Sequence, residues 1–448
     1  MKKNKLIIIL AWTLVHLIVC AQSTVTMAAA IQSAIRNRKN IQSGKIDIAI
    51  QQLKTKALFN KYGPQVSAEY NYNYNPILQS SIIPVGKFNP TLPSDATERV
   101  QFGTTWTQSA GITASQPLFD ATIKKQINES KWQEKISMAS QAQTEYELAY
   151  EVSKAYINIG LQLEQINAAI IDTTRTWISY QLQLGNFTAG RLLKSELNTA
   201  IINHNNTKQL LKDASMLLVE NKIYLMYVTG ELESQSGDFN IDTSFFKNKN
   251  LLWSDSKANI DSIPIFQQLI YQKQLSHFQK QTENSKYLPV ASLQAFLGAN
   301  QFSNNFNPIE ANKWFGYSYI GFNLKIPLIN GDDKKNKLEQ LQLQSQIYDK
   351  QMEDKSSQYS QESITATIEM TRIKLLLATQ EENIKLYRET LQILQDRFRG
   401  QQITASELNS QENELQKLLA NYHNTKIKAW LYGLSYFHAT GLLSKLWK

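Results

Sequence analysis

The sequence predicts a mostly α-helical protein with a small β part, organised as an internal two-fold repeat. Three observations support this fold class: landmarks that recur after about 210 residues, two very long tracts without proline, and short segments in which apolar and polar residues alternate. With 17 Gly and 10 Pro among 448 residues, and with 42% hydrophobic and 19% charged residues, the composition is that of a folded chain.

Four pairs of landmarks define the repeat. The first pair opens a P-L-F or P-L-I motif, the next two lie in a motif that ends in S-E-L-N, and the last belongs to a Thr-Gly pair. The pairs are Pro117 and Pro327, Gly190 and Gly400, Glu196 and Glu407, and Gly230 and Gly441. Their separation is 210 residues in the first two pairs (327 − 117, 400 − 190) and 211 in the others (407 − 196, 441 − 230). We therefore interpret residues 22–230 and 262–441 as two copies of one unit, with a linker at 231–261 and a tail at 442–448.

Residues 1–21 have the pattern of a secretory signal peptide. Three lysines precede an apolar run from Leu6 to Val19, and a small-residue cleavage site stands before Gln22. Loss of those lysines lowers the net charge from +9 to +6 (9 − 3), a thinly spread excess that argues against a nucleic-acid partner. Cys20 is the only cysteine, and it is either removed with the leader or lipidated. With the leader removed the chain has no disulfide, which is compatible with the periplasm or outer membrane of a bacterium.

The first copy begins with a helix and a β-hairpin. A helical pattern from Thr24 to Lys61 is followed by strict alternation from Val66 to Asn75 and by a loop at 76–101. A second alternating run extends from Thr104 to Ser115, so we place the hairpin at about 65–116. Ten alternating residues suit a tilted membrane strand, although an amphipathic strand of a soluble sheet remains the alternative.

The second copy repeats this order, with a helix at 264–285 and a hairpin at about 290–328. Its last strand carries rings at its start and aliphatic or aromatic residues later. These are Phe315, Tyr317 and Tyr319, followed by Ile320, Phe322, Leu324 and Ile326. We interpret aromatic residues near strand ends as lying at the headgroup level of a bilayer.

A long helix pair closes each copy, at 119–230 and at 331–441. Within these pairs, residues 119–185 and 331–398 contain no proline, and each tract would reach roughly 100 Å as a helix. Apolar residues recur by threes and fours along both tracts, as in a coiled coil. A plain antiparallel coiled-coil hairpin without a channel is the alternative that the helices alone leave open.

Two hairpins give four strands per chain, and four strands cannot close a barrel. Unpaired backbone groups at an open sheet edge are costly in hydrocarbon. If these strands enter a membrane, several chains must therefore share one barrel.

This ordered set of motifs resembles the TolC-like outer-membrane efflux protein family. The signal peptide, the two P-L-[FI]-x-x-x-x-x-K tracts, the S-E-L-N-like turns and the Thr-Gly endings carry the resemblance, which spans about Thr24 to Leu443. It implies a homotrimer whose chains each give four transmembrane strands to a twelve-stranded barrel in the lipid of the bacterial outer membrane. The long helices would continue as an α-barrel into the periplasm, with the linker in an equatorial domain. The implied function is the channel of a tripartite efflux system, passively conducting substrates from an inner-membrane pump and a periplasmic adaptor.

The resemblance also implies a gate and an adaptor contact at the two turns between long helices. The matching positions are Phe187, Gly190, Arg191, Ser195 and Glu196 at the first turn, and Arg397, Gly400, Gln402, Ser406, Glu407 and Asn409 at the second. Glycine is expected to permit the bend, and Ser195 and Ser406 are expected to cap the next helix or bind adaptor backbone. The plainer alternative is that these residues only end and restart helices. Ser406 and Asn409 stand where the best-known member has aspartate rings, so an acidic constriction is doubtful here.

Three other functions compete with this interpretation. A duct for type I protein secretion would use the same architecture, whereas a periplasmic coiled-coil adaptor would not need alternating aromatic strands. An enzyme is not expected, because the five histidines are scattered without metal-ligand spacing and no Gly-rich phosphate loop occurs. We accordingly expect no catalytic residue, no cofactor and no metal site.

Overall fold

The fold is taken from a computed structural model that describes residues 24–88, 91–231, 239–247, 259–307, 314–328, 332–400, 402–403 and 405–446. For Ala405, Ser406 and Asn409 only the backbone is described. The predicted signal peptide, Cys20 and most of the linker at 231–261 lie outside these residues.

Seven α-helices account for most of the described chain. They are α1 (Met27–Asn37), α2 (Lys39–Asn60), α3 (Ala121–Thr188), α4 (Lys194–Thr229), α5 (Pro264–Ser285), α6 (Asp333–Arg399) and α7 (Ala405–Ala439). The two very long helices of the predicted fold class are confirmed as α3 and α6. The single helix expected from Thr24 to Lys61 is two helices, because Arg38 has an extended backbone between α1 and α2 (φ −64°, ψ 129°). In the described part of the chain, no helix combines the length and the apolar character needed to span a bilayer.

Four strands form one antiparallel sheet in the order β2-β5-β7-β8. Their bounds are Gln65–Tyr74 for β2, Trp106–Phe119 for β5, Val290–Ser303 for β7 and Trp314–Lys325 for β8. Strands β2 and β8 are therefore the edges of the sheet. The remaining strands are β1 (Thr24–Val25), β3 (Gln79–Ile83), β4 (Glu98–Phe102) and β6 (Asn240–Ile241). Strands β3 and β4 pair with each other inside the segment expected to be a loop at 76–101, so that expectation was wrong in part.

The sheet has one apolar face and one polar face, because residues that pair across strands point to the same side. The apolar face carries Val66, Ala68, Tyr70, Tyr72 and Tyr74 of β2, Trp106, Ala110, Ile112 and Ala114 of β5, Leu293, Ala295 and Leu297 of β7, and Ile320, Phe322 and Leu324 of β8. The polar face carries Ser67, Glu69, Asn71, Asn73, Ser109, Thr113, Gln294, Asn300, Asn323 and Lys325. Glu69 and Lys325 are the charged residues of these four strands, and both lie on the polar face.

The aromatic residues at the start of β8 lie on the polar face of the sheet. The pairing of β7 with β8 runs in unbroken register from Val290 with Lys325 to Gln301 with Trp314. Phe315, Tyr317 and Tyr319 consequently lie on the polar face, opposite to Ile320 and the apolar residues after it. Their position at the headgroup level of a bilayer stays a prediction.

The described residues divide into two compact units. The helical unit contains the described residues within 1–48, 137–270 and 349–448, and the sheet unit contains those within 49–136 and 271–348. In the helical unit, Val152, Tyr156 and Ile159 of the predicted apolar seam are all 0% exposed. The Tyr156 hydroxyl lies 2.9 Å and 3.0 Å from the carbonyl oxygens of Val25 and Asp242, which ties the β1–β6 pair to this core.

In the sheet unit, helices α3 and α5 are joined by aromatic packing. The Trp132 ring lies 5.7 Å from both Tyr271 and Phe278, centroid to centroid. The Lys135 ammonium lies 4.0 Å from the centroid of the Trp132 ring, a cation–π contact.

Candidate functional site

The first predicted gate turn joins α3 to α4. The chain reverses at Gly190, whose φ of 72° lies in the left-handed region that favours glycine. The Gly190 amide donates to the Phe187 carbonyl (2.9 Å), and the Arg191 amide donates to the Asn186 carbonyl (2.8 Å). These bonds satisfy backbone carbonyls at the end of α3, as expected at a helix C-terminus.

Glu196, and not Ser195, caps the helix after this turn. The residue at the N-cap is Leu193, and its amide donates to the Glu196 carboxylate (3.1 Å). Ser195 is the second residue of α4, so the expectation that it caps the helix is wrong. A carboxylate at this position also interacts favourably with the positive end of the helix dipole.

The second gate turn joins α6 to α7 with different geometry. The Gly400 amide donates to the Asp396 carbonyl (3.0 Å), and the Gln402 amide donates to the Arg397 carbonyl (2.9 Å). Gly400 is not among the glycines with positive φ, and a Cβ placed on it would come no closer than 3.6 Å to another atom. The backbone therefore does not require glycine here, contrary to expectation. Ser406 is the second residue of α7, and its side chain, like that of Asn409, is outside the described residues.

Most of the candidate side chains whose positions are described at both turns face solvent. Phe187 is half-buried, whereas Arg191, Glu196, Arg397, Gln402 and Glu407 are exposed. Arg397 and Arg399 occupy the last turn of α6, where cations complement the helix dipole. Arg399 pairs with Asp396 at 3.2 Å, but both side chains are exposed, so the pair contributes little to stability.

Sequence reasoning missed one residue at the first turn. Leu193 stands at the N-cap of α4 and is 69% exposed, although it is a large aliphatic side chain. Its signal in the sequence is the glutamate three residues later, which is half of a capping box. The box was not recognised because leucine replaces the usual Ser or Thr. The first turn thus exposes an aliphatic side chain, Leu193, close to the charged residues Arg191 and Glu196.

A second polar site is buried in the helical unit, where His438 of α7 lies between two carboxylates. Its Nδ1 lies 3.2 Å from Glu362, and its Nε2 lies 3.3 Å from Glu147, within ion-pair distance but not aligned as a hydrogen bond. Burial acts to lower the pKa of His438, but the carboxylates of Glu147 and Glu362 outweigh it and raise the pKa to about 9. The ring is therefore a cation at neutral pH and links α3, α6 and α7.

Among the described residues, no cluster of His, Cys, Asp and Glu has a geometry suited to a metal ion. We therefore do not propose a metal site at His438 and its two carboxylates. No catalytic or cofactor-binding arrangement was expected from the sequence, and none is proposed here.

Residues 30–231 match the sequence model of a family described as Outer membrane efflux protein. No curated protein matches the chain. Among solved structures, CusC, for which transmembrane channel formation has been described, is similar with a TM-score of 0.68 at 15% identity, over 92% of this chain and 91% of that one. The outer membrane protein VceC from Vibrio cholerae has a TM-score of 0.64 at 12% identity, over 93% and 96% of the two chains. The Campylobacter jejuni CmeC outer membrane channel has a TM-score of 0.65 at 14% identity, over 93% and 85%.

Proposed function

We propose how the chain works from two premises: residues 30–231 match the family of outer membrane efflux proteins, and the fold is that of solved outer-membrane channels. The predicted family and the function of an outer-membrane efflux channel are confirmed by these comparisons. We infer that the chain forms a homotrimer, extends into the periplasm, and receives substrates from an inner-membrane pump through a periplasmic adaptor.

The four-stranded sheet is the observation that carries the proposal. Among the described residues, no strand pairs with the outer side of β2 or β8. The apolar face is exposed, with Leu297 at 67% and Ile320 at 79%. Lipid would cover such a face, but hydrocarbon does not tolerate open edges. Both requirements are met when β8 of one chain pairs with β2 of the next and three chains close one barrel. The polar face, with its two charged residues, then lines the lumen.

The helical unit supports the same assembly. Along α6 an apolar stripe is exposed, on the side of the helix opposite to the buried Ala366, Met370, Ile373 and Ile384. It consists of Ile364, Ile368, Leu375, Leu386 and Ile393, which are between 54% and 68% exposed. Their spacing of 4, 7, 11 and 7 residues keeps them on one side of the helix, as in a coiled coil. A second copy of the chain is the partner that this stripe fits, and a ring of such helices would form the periplasmic α-barrel.

The two helix turns are the proposed gate and adaptor contact. The side chains that would act are Phe187, Arg191, Ser195 and Glu196 at the first turn, and Arg397, Gln402, Ser406, Glu407 and Asn409 at the second, with Gly190 and Gly400 in the bends. The exposure of the charged members supports this role, because an adaptor needs accessible polar groups. Energy is supplied by the pump, so the channel itself needs no catalytic residue.

The assembly is tested by extracting the mature protein from outer membranes and measuring its mass by size-exclusion chromatography with light scattering. We expect a trimer in detergent and stepwise ion conductance after addition to planar lipid bilayers. Recovery as a soluble monomer from the periplasm would contradict the channel proposal and favour the adaptor alternative.

The gate is tested with Glu407→Gln and Arg397→Gln in the same bilayers. Removal of either charge from the proposed constriction should change single-channel conductance or the fraction of time spent open. Arg388→Gln and Glu389→Gln are matched controls, because these residues are on α6 more than two turns before its end and outside both turns. Equal effects from test and control substitutions, or no effect from either, would show that the turn charges have no gating role.

A further inference from the structure

Three stacked rings stand on the polar face of the sheet. Phe296 of β7 lies next to Tyr317 and Tyr319 of β8, with ring centroids 4.7 Å and 5.8 Å away and interplanar angles of 28° and 16°. Tyr317 is 45% exposed and Tyr319 is 49% exposed. Two further rings of this face, Phe302 and Phe315, lie farther along the same strands and contact each other, with centroids 6.3 Å apart. We call Phe296, Tyr317 and Tyr319 the aromatic cluster.

Two glycines seat the aromatic cluster on the sheet. A Cβ on Gly111 would lie 2.4 Å from Cζ of Phe296, and a Cβ on Gly298 would lie 2.6 Å from the same atom. Both distances are far below van der Waals contact, so the Phe296 ring occupies the space directly above the backbone of β5 and β7. A ring held against the sheet in this way leaves the neighbouring tyrosines as the accessible stacking surface.

A carboxylate completes the site. The strand register places Glu69 beside Gly111, Gly111 beside Gly298, and Gly298 beside Tyr317, so the four residues form one row across the sheet. At the usual strand spacing, the backbones of Glu69 and Tyr317 are roughly 14 Å apart, and the Phe296 ring lies over the two glycines between them. Glu69 is exposed, and Lys325, the other charged residue of the four strands, pairs with Val290 at the opposite end of β7. The row therefore presents negative charge and aromatic faces without a nearby cation from the sheet.

We propose that the aromatic cluster and Glu69 form a binding site for planar aromatic cations on the lumen wall of the barrel. The proposal rests on the proposed function, because the polar face lines a lumen only if the sheet is part of a channel wall. A flat ring stacks on Tyr317 or Tyr319, and its positive charge is attracted both to the ring faces and to Glu69. The site is shallow and open to water, which suits a channel, since a solute must bind weakly enough to leave. Three chains would place three such sites around one lumen.

The experiment measures block of single-channel current by ethidium, a planar aromatic cation, in planar bilayers containing the wild-type protein. Phe296→Leu removes the ring against which both tyrosines pack but keeps an apolar side chain. Because both stacking surfaces lose their support, we expect it to raise the half-blocking concentration about fivefold. Tyr319→Leu should raise it about threefold, and Glu69→Gln should raise it by a similar factor and make block less sensitive to salt. Tetraethylammonium, which has charge but no ring, should block wild type and Phe296→Leu equally.

Phe322→Leu is the matched control, because Phe322 lies on β8 but on the apolar face. We expect it to leave ethidium block unchanged. The inference is overturned if Phe296→Leu and Tyr319→Leu leave ethidium block unchanged, or if Phe322→Leu weakens it as much as they do. If Phe296→Leu does not assemble, Tyr319→Leu decides, because Tyr319 is half exposed and does not sit over the glycines. Failure of the wild-type protein to conduct would instead contradict the proposed function.

Discussion

The two copies of the repeat end in the same way but against different neighbours. Gly230 and Gly441 both have a φ of 74°, and each follows a buried threonine and ends a returning helix. A Cβ on Gly230 would lie 3.1 Å from Asn37, just before α2 begins. A Cβ on Gly441 would lie 2.3 Å from the carbonyl oxygen of Asn259, shortly before α5. In both copies, the end of the last helix thus packs against the entry to that copy's helix before the hairpin.

The two copies have the same backbone conformation at the ends of their last helices, but they differ at the turns between their long helices. Gly190 has a φ of 72°, whereas Gly400 does not adopt a positive φ, although the two occupy equivalent positions in the repeat. The difference follows from packing, because the glycines at the helix ends lie in close contact with another segment and those at the turns do not. A close approach between segments restricts the backbone to one conformation, whereas an exposed turn can adopt several. The two copies therefore agree at these close contacts and can differ at the proposed gate.

The largest expected effect comes from Gly441→Ala. The substitution forces an L-residue into the left-handed region and places a methyl group on Asn259 and Ser262, so we expect a loss of about 3 kcal/mol. Gly230→Ala has the same backbone strain but a looser contact, and about 1.5 kcal/mol is expected. The measurement is thermal unfolding of each purified variant by circular dichroism in detergent. Equal destabilisation by the two substitutions would show that the neighbours do not matter and would remove this distinction between the copies.

The helical part of the fold was predictable because its signal is local. Spacing by threes and fours along 119–185 and 331–398 predicted α3 and α6, and the four landmarks predicted their duplication. Alternation along β8 was enough to place Tyr317 and Tyr319 on the face opposite to Ile320. It did not show that Phe296 and Glu69 share that face, because this information lies in the register across β2, β5, β7 and β8.

Two features of the sites were missed for similar reasons. The Glu196 cap begins at a leucine, so the usual Ser or Thr signature is absent from the sequence. The ion-pair cluster joins His438 to Glu147 and Glu362, which are 291 (438 − 147) and 76 (438 − 362) residues away in sequence. Only the packing of three helices brings these groups together. A site whose side chains come from distant helices has no recognisable motif in the sequence.

A second, intermediate effect distinguishes the copies by pH. His438 occupies the position that Tyr227 has in the first copy (438 − 211). In the first copy there is no histidine between carboxylates at this position, and the Arg38 guanidinium lies 4.6 Å from the centroid of the Tyr227 ring. The pKa of His438 is raised to about 9 from an ordinary value of 6.5, so its stabilising effect is complete below about pH 6.5 and is lost as the pH rises through 9. We expect a loss of about 2 kcal/mol across this window, after discounting for the half-exposed Glu147.

The measurement is thermal unfolding of wild type and His438→Gln at several pH values between about 6 and 9.5. The substituted protein should be less stable at the low end and should lose the pH-dependent part. The rings near His438 should not interfere, because burial raises the pKa of Tyr146 and Tyr150 and raises that of Tyr359 to about 12. His423→Gln is the control, since His423 is an exposed histidine of the same helix. An unchanged pH profile in His438→Gln would mean that the pair has no energetic role.

The smallest effect on stability is expected from substitutions of Gly190 and Gly400 at the turns. Because the two glycines occupy equivalent positions, this pair compares the two copies most directly. Gly190→Ala adds no clash, since nothing lies within 4 Å of its Cβ position, but it strains a backbone at φ 72°. We expect local opening of the first turn to become about fivefold more frequent, equivalent to about 1 kcal/mol, with little change in global unfolding. Gly400→Ala should be neutral, because its backbone is accessible to alanine and its Cβ would make only ordinary contacts. Hydrogen exchange of the backbone amides in each turn measures the local opening in both variants. Faster exchange in Gly400→Ala than in Gly190→Ala would mean that the second turn, and not the first, depends on its glycine. That result would contradict the explanation of the difference between the copies by packing.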